Sequence, residues 1–339
     1  MAKSKFILLI LWSFIISYNA LAQSQTEVKK ETWADKGTVY GTIYANFHTD
    51  LGGEEAERGF EVKRAYLGYK SKIDEHFSAD LTLDIGSPDD VSEYSLNKRF
   101  AYFKKAYVQY QYQNLKVQFG VADTRQLKTQ QDFWGYRYLY KSFMDEHKFS
   151  SSADLGLVVD YKFSEVLSAD FSFLNGEGYH QIQTDEDFKT GLGVTFKPAP
   201  WLLVRGYYDT FIANNTNQSN LAGFAGLSFE SFTFGAEYNH QWNYLSLSDR
   251  HRYGYSFYLT YLASEKVKLF ARYDQLYSNT LAGAINPWDL ENDGSAIITG
   301  LEFSPAKKVN LSLNYQDWLA YAENGTDEHF IYFNLQFKF

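Results

Sequence analysis

Along residues 77–85, Phe77, Ala79, Leu81, Leu83 and Ile85 alternate with Ser78, Asp80, Thr82 and Asp84. A period of two is the pleat of a β-strand with one oily and one polar face. The alternation recurs in Leu155-Leu157-Val159-Tyr161-Phe163, in Leu167-Ala169-Phe171-Phe173, in Val267-Leu269-Ala271-Tyr273 and in Val309-Leu311-Leu313-Tyr315. About sixteen such runs fill the chain, at 38–48, 60–72, 76–86, 100–113, 115–122, 153–163, 166–174, 188–197, 200–212, 220–230, 231–241, 252–263, 266–277, 294–304, 307–318 and 328–339. Most are about ten residues long, the length of a tilted strand that crosses a bilayer. Beyond the N-terminal apolar stretch, no segment sustains a helical period.

The connectors alternate in length. Short ones lie around 73–75, 113–114, 164–165, 197–200, 230–231, 264–266 and 305–306. Long ones cover about 49–59, 87–99, 123–152, 175–187, 213–219, 242–251, 278–293 and 319–327. A soluble sandwich has no reason for such alternation. An outer-membrane barrel has one, because its periplasmic turns are tight and its external loops long. Strands in hydrocarbon must pair every backbone polar group, which only a closed sheet achieves. The fold expected is all-β: one transmembrane antiparallel barrel of about sixteen strands over residues 38–339, with a long third external loop.

Composition agrees. Aromatics make up 19% of 339 residues, prolines number 5 and cysteine is absent. Without cysteine there are no disulfides, thiolate metal sites or cysteine nucleophiles. The net charge of -9 gives no footprint for nucleic acid. Tyrosine and phenylalanine cluster near strand ends, as in Tyr107-Tyr110-Tyr112, Tyr255-Phe257-Tyr258-Tyr261 and Tyr332-Phe333, the pattern of aromatic belts at the headgroup level. Lys3 and Lys5, an apolar Phe6–Ile16 and Ala20-Leu21-Ala22 read as a signal peptide over 1–22, followed by a flexible periplasmic segment at 23–37. The expected address is the cell outer membrane. The last run places Ile331, Phe333, Leu335, Phe337 and terminal Phe339 on one face, the strand signal that barrel-assembly machinery reads.

Sixteen strands enclose a lumen too wide for side chains to fill, so water is its expected content. Loop 123–152 is rich in aromatics that a solvated loop exposes only at a cost. Folding into the barrel as a constriction buries them; lying over the mouth or against a neighbouring protomer also does. By strand parity Arg64, Lys105, Arg205 and Arg272 face the lumen, with Asp80, Asp84, Asp160, Asp170, Asp209, Glu237, Asp274 and Glu302. Arg125, Lys128, Arg137 and Lys141 lie in the long loop.

The chain resembles the phosphate-selective porin O and P family of Bacteroidetes-like bacteria. The resemblance rests on Lys63-Arg64-Ala65 with Tyr66-Leu67-Gly68, on Ser152-Ala153-Asp154-Leu155-Gly156 and on Arg272-Tyr273-Asp274. It implies sixteen strands, a third loop that enters the pore, a ladder of inward Arg and Lys that passes anions, and a homotrimer. The residues that carry this expectation are Arg125, Lys128, Arg137 and Lys141 with Arg64, Arg205, Arg272 and Asp274. Yet a phosphate filter needs an uncompensated basic stripe, and lumen carboxylates are as plentiful here as cations.

The function expected is passive diffusion of small hydrophilic solutes or ions through a water-filled barrel narrowed by loop 123–152, with a preference for anions or phosphate. The alternative is a non-conducting surface barrel, an adhesin or complex subunit. No enzyme is expected, and no cofactor or metal. The histidines at 48, 76, 147, 180, 240, 251 and 329 are scattered, and neither a His-x-x-x-His spacing nor a phosphate-binding glycine loop occurs. The expected partners are membrane lipid, lipopolysaccharide and the permeating solutes. Acidic loop residues Asp50, Glu54, Glu55, Asp89, Asp90, Asp289 and Asp293 either bind divalent cations that bridge lipopolysaccharide or are plain solvated charge.

Overall fold

The computed structural model describes residues 37–52, 57–86, 100–181, 183, 186–213 and 216–339. The expected signal peptide, the segment up to residue 36 and the acidic residues Glu54, Glu55, Asp89 and Asp90 lie outside the described residues. Among the described residues, sixteen strands follow in order. They are β1 (Gly37–Asp50), β2 (Arg58–Lys72), β3 (Phe77–Gly86), β4 (Phe100–Tyr112), β5 (Leu115–Asp123), β6 (Ala153–Lys162), β7 (Leu167–Leu174), β8 (Lys189–Ala199), β9 (Leu202–Ala213), β10 (Thr216–Ser228), β11 (Phe232–Trp242), β12 (Arg252–Ser264), β13 (Val267–Ser278), β14 (Gly294–Ala306), β15 (Val309–Ala320) and β16 (Glu328–Lys338). Each pairs with its sequence neighbours, and β1 pairs with β16, so the sheet is a closed barrel. The closing register runs from Thr42 opposite Lys338 to Asp50 opposite Phe330. Gly41 exchanges backbone hydrogen bonds with Phe339 (3.3 and 3.0 Å), so the last residue of the chain completes the seam.

The distribution of side chains is inverted relative to a soluble protein. On β3, Asp80 and Asp84 are 3% and 1% exposed while Leu81 between them is 47% exposed. All eight expected lumen carboxylates lie on the inner face, and Phe119, Leu155, Phe171, Leu192, Leu269 and Phe333 stand on the outer one. An exposed leucine or phenylalanine forgoes about 1.5–3 kcal/mol of burial in water. Dozens of them exceed the roughly 5–15 kcal/mol net stability of a domain, so water is the wrong solvent for this surface and hydrocarbon the right one.

Two expectations from the sequence are corrected. The connector read at 213–219 shrinks to the two residues between Ala213 and Thr216, because the polar run Asn217-Gln218-Ser219-Asn220 continues as strand paired to β9. Backbone pairing does not require apolar side chains, and polarity marks a loop only where the strand must meet lipid. Helix is also present, within the long loop: α1 (Arg125–Trp134) and α2 (Phe143–Glu146).

Candidate functional site

Residues 124–152 leave β5 and return at β6 through a closed neck, where the Thr124 amide and hydroxyl donate to the carbonyls of Ser152 (3.2 Å) and Ser151 (2.8 Å). The sequence after the neck, Arg-Gln-Leu-Lys-Thr-Gln-Gln, is rich in straight-chain helix formers. Gly135 ends α1 in the left-handed region (φ 77°), its amide bonded to the Gln131 carbonyl. The buried face of α1 is Gln126, Leu127, Gln130 and Trp134. Two of these four are amides because the face rests on a polar lumen wall, so no hydrophobic period marks this helix in the sequence.

After α1 the loop packs on the inner wall of β10–β14. Trp134, Tyr136, Tyr138 and Leu139 form a buried cluster with Tyr44, Phe224, Tyr258, Phe270, Ala296 and Ile298. Tyr136 lies 4.5 Å from Phe270 and Trp134 5.4 Å from Tyr258, centroid to centroid. A second cluster joins Leu127, Phe143, Met144 and Phe149 to Tyr207, Ala222 and Leu276. Tyr258, expected in an aromatic belt, thus points into the barrel, where it serves as a dock for the loop. Gly226 makes room on the wall: a β-carbon there meets the ring of Phe133 at 2.4 Å.

Polar pins from many strands hold the same loop. Arg125 is bidentate to Asp160 on β6 (2.7 and 2.7 Å). Arg205 on β9 is bidentate to Asp170 (2.6 and 3.0 Å) and donates to Gln126 of the loop (2.8 Å). Tyr138 donates to Glu302 on β14 (2.8 Å). Loop carbonyls are captured by Lys63 on β2 (Leu139, 3.0 Å), Arg272 on β13 (Lys141, 2.6 Å) and Arg252 on β12 (Lys148, 3.2 Å). Arg272 also forks onto Asp274 (2.7 and 2.6 Å), with neither side chain exposed. Removing either partner of a buried pair of this geometry leaves an uncompensated charge, which is costly.

The opposite side of the loop faces β1–β5 across a pocket of about 170 Å³. Its lining brings Tyr40, Thr42 and Tyr44 from β1, Tyr66 from β2, Thr82 from β3, Lys104 and Lys105 from β4 and Asp123 from β5 to Lys128, Gln131, Arg137 and Ser152 of the loop. Lys105 pairs with Asp123 (2.8 Å), Lys128 with Asp132 (2.6 Å) and Arg137 with Asp145 (3.4 Å). Lys104 donates to the Ser152 hydroxyl (2.6 Å) and lies 4.3 Å over the Tyr179 ring. At the short-turn end of β4–β8, a second cavity of about 380 Å³ includes Lys116, Asp160, Ser168, Thr195 and Lys197 in its lining.

Of the eight residues singled out in the sequence, Lys128 and Arg137 line the pocket. Arg64 is not in the lining but touches it through Tyr66, donating to the Tyr66 hydroxyl (3.4 Å) while paired to Asp84 (3.3 Å). Arg125, Arg205, Arg272 and Asp274 are pins between loop and wall, away from the pocket lining, and Lys141 gives its carbonyl to Arg272. Parity missed Lys104 and Lys63. The β3–β4 register skips from Thr82–Lys105 to Leu83–Phe103, so Lys104 is a bulge residue and two consecutive lysines turn inward. On β2, Lys63 and Arg64 likewise both reach inner partners. The signal was available: two adjacent cations in a strand with a lipid face cannot obey alternation.

Solved structures share this architecture. Salmonella typhi OmpF, in complex with daunomycin, superposes with a TM-score of 0.69 at 14% identity, covering 89% of this chain and 97% of that one. Pseudomonas putida OprB gives 0.65 at 10% identity over 90% and 94%. An anion-selective porin from Comamonas acidovorans gives 0.63 at 11% identity over 89% and 99%. The fold is that of the outer-membrane porins. No protein-family model matches the chain, and no curated protein matches it in sequence. The likeness to the phosphate-selective porin O and P family therefore stands on its short motifs.

Proposed function

We propose that the protein is an outer-membrane porin through which small hydrophilic solutes diffuse, narrowed between loop 123–152 and the inner wall of β1–β5 and preferring anions. The observation that carries this reading is the lining of the pocket: Lys104, Lys105, Lys128 and Arg137 face it with one carboxylate, Asp123, while the partners of Lys128 and Arg137, Asp132 and Asp145, stand outside the lining, and Lys104 has no ion-pair partner among the described residues. A narrow water-filled passage walled by low-dielectric protein focuses the field of such charges and raises the local concentration of counter-ions. Cations anchored by neighbours stay in place while solutes pass. Under this reading residues 1–22 direct export, the Phe339 strand directs barrel assembly, lipid and lipopolysaccharide surround the outer face, and three copies assemble as a homotrimer. The eight residues then divide into three filter groups, Arg64, Lys128 and Arg137, and five that keep the loop in position.

Planar-bilayer recording tests the proposal. Steady ohmic conductance is expected, with a reversal potential in a KCl gradient on the chloride side of zero. Correctly folded barrel that stays silent rejects a pore and returns the non-conducting surface barrel. A cation-selective pore rejects the filter.

A further inference from the structure

The pocket has more chemistry than an anion filter requires. Chloride or phosphate needs only the cations. Here the β1–β2 side presents three tyrosine rings, Tyr40, Tyr44 and Tyr66, with Lys104 and Lys105 in the same lining, and among the described residues no aliphatic side chain lines the space. The rings are fixed in place. Tyr44 and Tyr66 meet edge-on at 5.8 Å, and the Tyr40 hydroxyl donates to Asp80 (2.7 Å) while bonded to Thr82 (2.5 Å). A tyrosine ring is apolar on its face and wet at its hydroxyl. Pre-set rings of this kind suit a solute that is apolar on one face and hydroxylated at its edge, and they cost little ordering entropy on contact. Lys104 supplies the charge. Among the described residues no carboxylate lies within ion-pair distance of it, and the Ser152 hydroxyl is its hydrogen-bond acceptor. Exchange of that neutral acceptor for a solute carboxylate turns the bond into an ion pair.

We infer that the pocket selects acidic monosaccharides, a pyranose ring carrying a carboxylate, with the ring against the tyrosines and the acid at Lys104 and Lys105. This inference rests on the anion-porin reading and names its solute.

The test uses the purified full chain in planar bilayers with glucuronate, glucose, acetate and inorganic phosphate as probes. Glucuronate is expected to interrupt the single-channel current at a concentration about tenfold below that of glucose, acetate or phosphate, the worth of one aromatic contact. Tyr66→Leu is expected to bring glucuronate down to the level of acetate, and Lys104→Gln to weaken glucuronate block. Phosphate or acetate blocking as well as glucuronate overturns the inference in the wild-type protein alone, whether or not the variants fold, and leaves the anion porin standing. A folded Tyr66→Leu pore with undiminished glucuronate block overturns it too. A pore without anion preference removes both.

Discussion

His147 closes the docked loop. Its ring lies tilted against Phe143 (4.5 Å) and Trp318 (5.3 Å), and its Nε2 has no hydrogen-bond partner, the nearest carboxylate oxygen being that of Asp274 at 4.0 Å. Burial pushes its pKa down to about 3, outweighing the attraction of Glu146. The sign of the pH effect follows. Released from the wall, the ring takes up a proton near pH 6.5; docked, it stays neutral until about pH 3. The undocked loop binds more protons in that window, so docking weakens as pH falls from 6.5 toward 3, by about 1.4 kcal/mol per unit. At pH 4 the loss is about 3 kcal/mol. Wild-type current should become noisy at pH 4, whereas His147→Gln should show the same open-channel noise at pH 4 and pH 7. Equal pH dependence in both proteins assigns the effect to another group. The sequence did not announce this histidine, since its meaning comes from the partners Phe143 and Trp318, which the loop's path brings to it. Arg272 and Asp274 were legible as inward residues because parity is local. That Arg272, held by Asp274, grips the Lys141 carbonyl instead of a passing solute was not, because nothing local records where a loop returns to the wall.

At the scale of elements, all sixteen strands were readable because each has to show one face to lipid and the other to water, which writes a period of two into the chain. The helix α1 was not, for the reason its buried glutamines give. Bulges and bends fall between these cases. Gly120 on β5 has φ +125°, and a β-carbon there meets the Ala106 carbonyl oxygen at 2.1 Å and the Tyr107 Cα at 2.9 Å. It sits three residues before the end of β5, opposite Gly156 on β6, where the hairpin bends beneath the loop. Gly223 on β10 has open space where its β-carbon would be. Gly120→Ala should therefore lower stability by about 1–3 kcal/mol through backbone strain, read as an earlier urea midpoint in detergent. Gly223→Ala should be neutral or slightly stabilising. Similar midpoints for the two variants refute a strained bend at the base of the loop.

At the scale of the whole molecule, a chain of net charge -9 holds a pocket lined by four cations and one carboxylate. Ion preference then depends on which field an ion feels at the constriction. Charges beyond a Debye length are screened, and that length falls from about 10 Å at 0.1 M salt to about 3 Å at 1 M. Lysines that line the passage act at contact distance, so the preference should persist at 0.1 M and shrink without reversing at 1 M KCl. If distant acidic loops governed permeation, the low-salt preference would be for potassium. Replacement separates the two fields. Lys104→Glu with Lys105→Glu turns a lining of four cations and one carboxylate into two cations and three carboxylates, changing the net charge of the chain by only four. The double variant should become cation-preferring at 0.1 M KCl while its conductance stays within about twofold, since the loop pins from Arg125, Arg205 and Arg272 are untouched. Chloride preference retained in a double variant of normal heat resistance would place the selecting field elsewhere along the lumen.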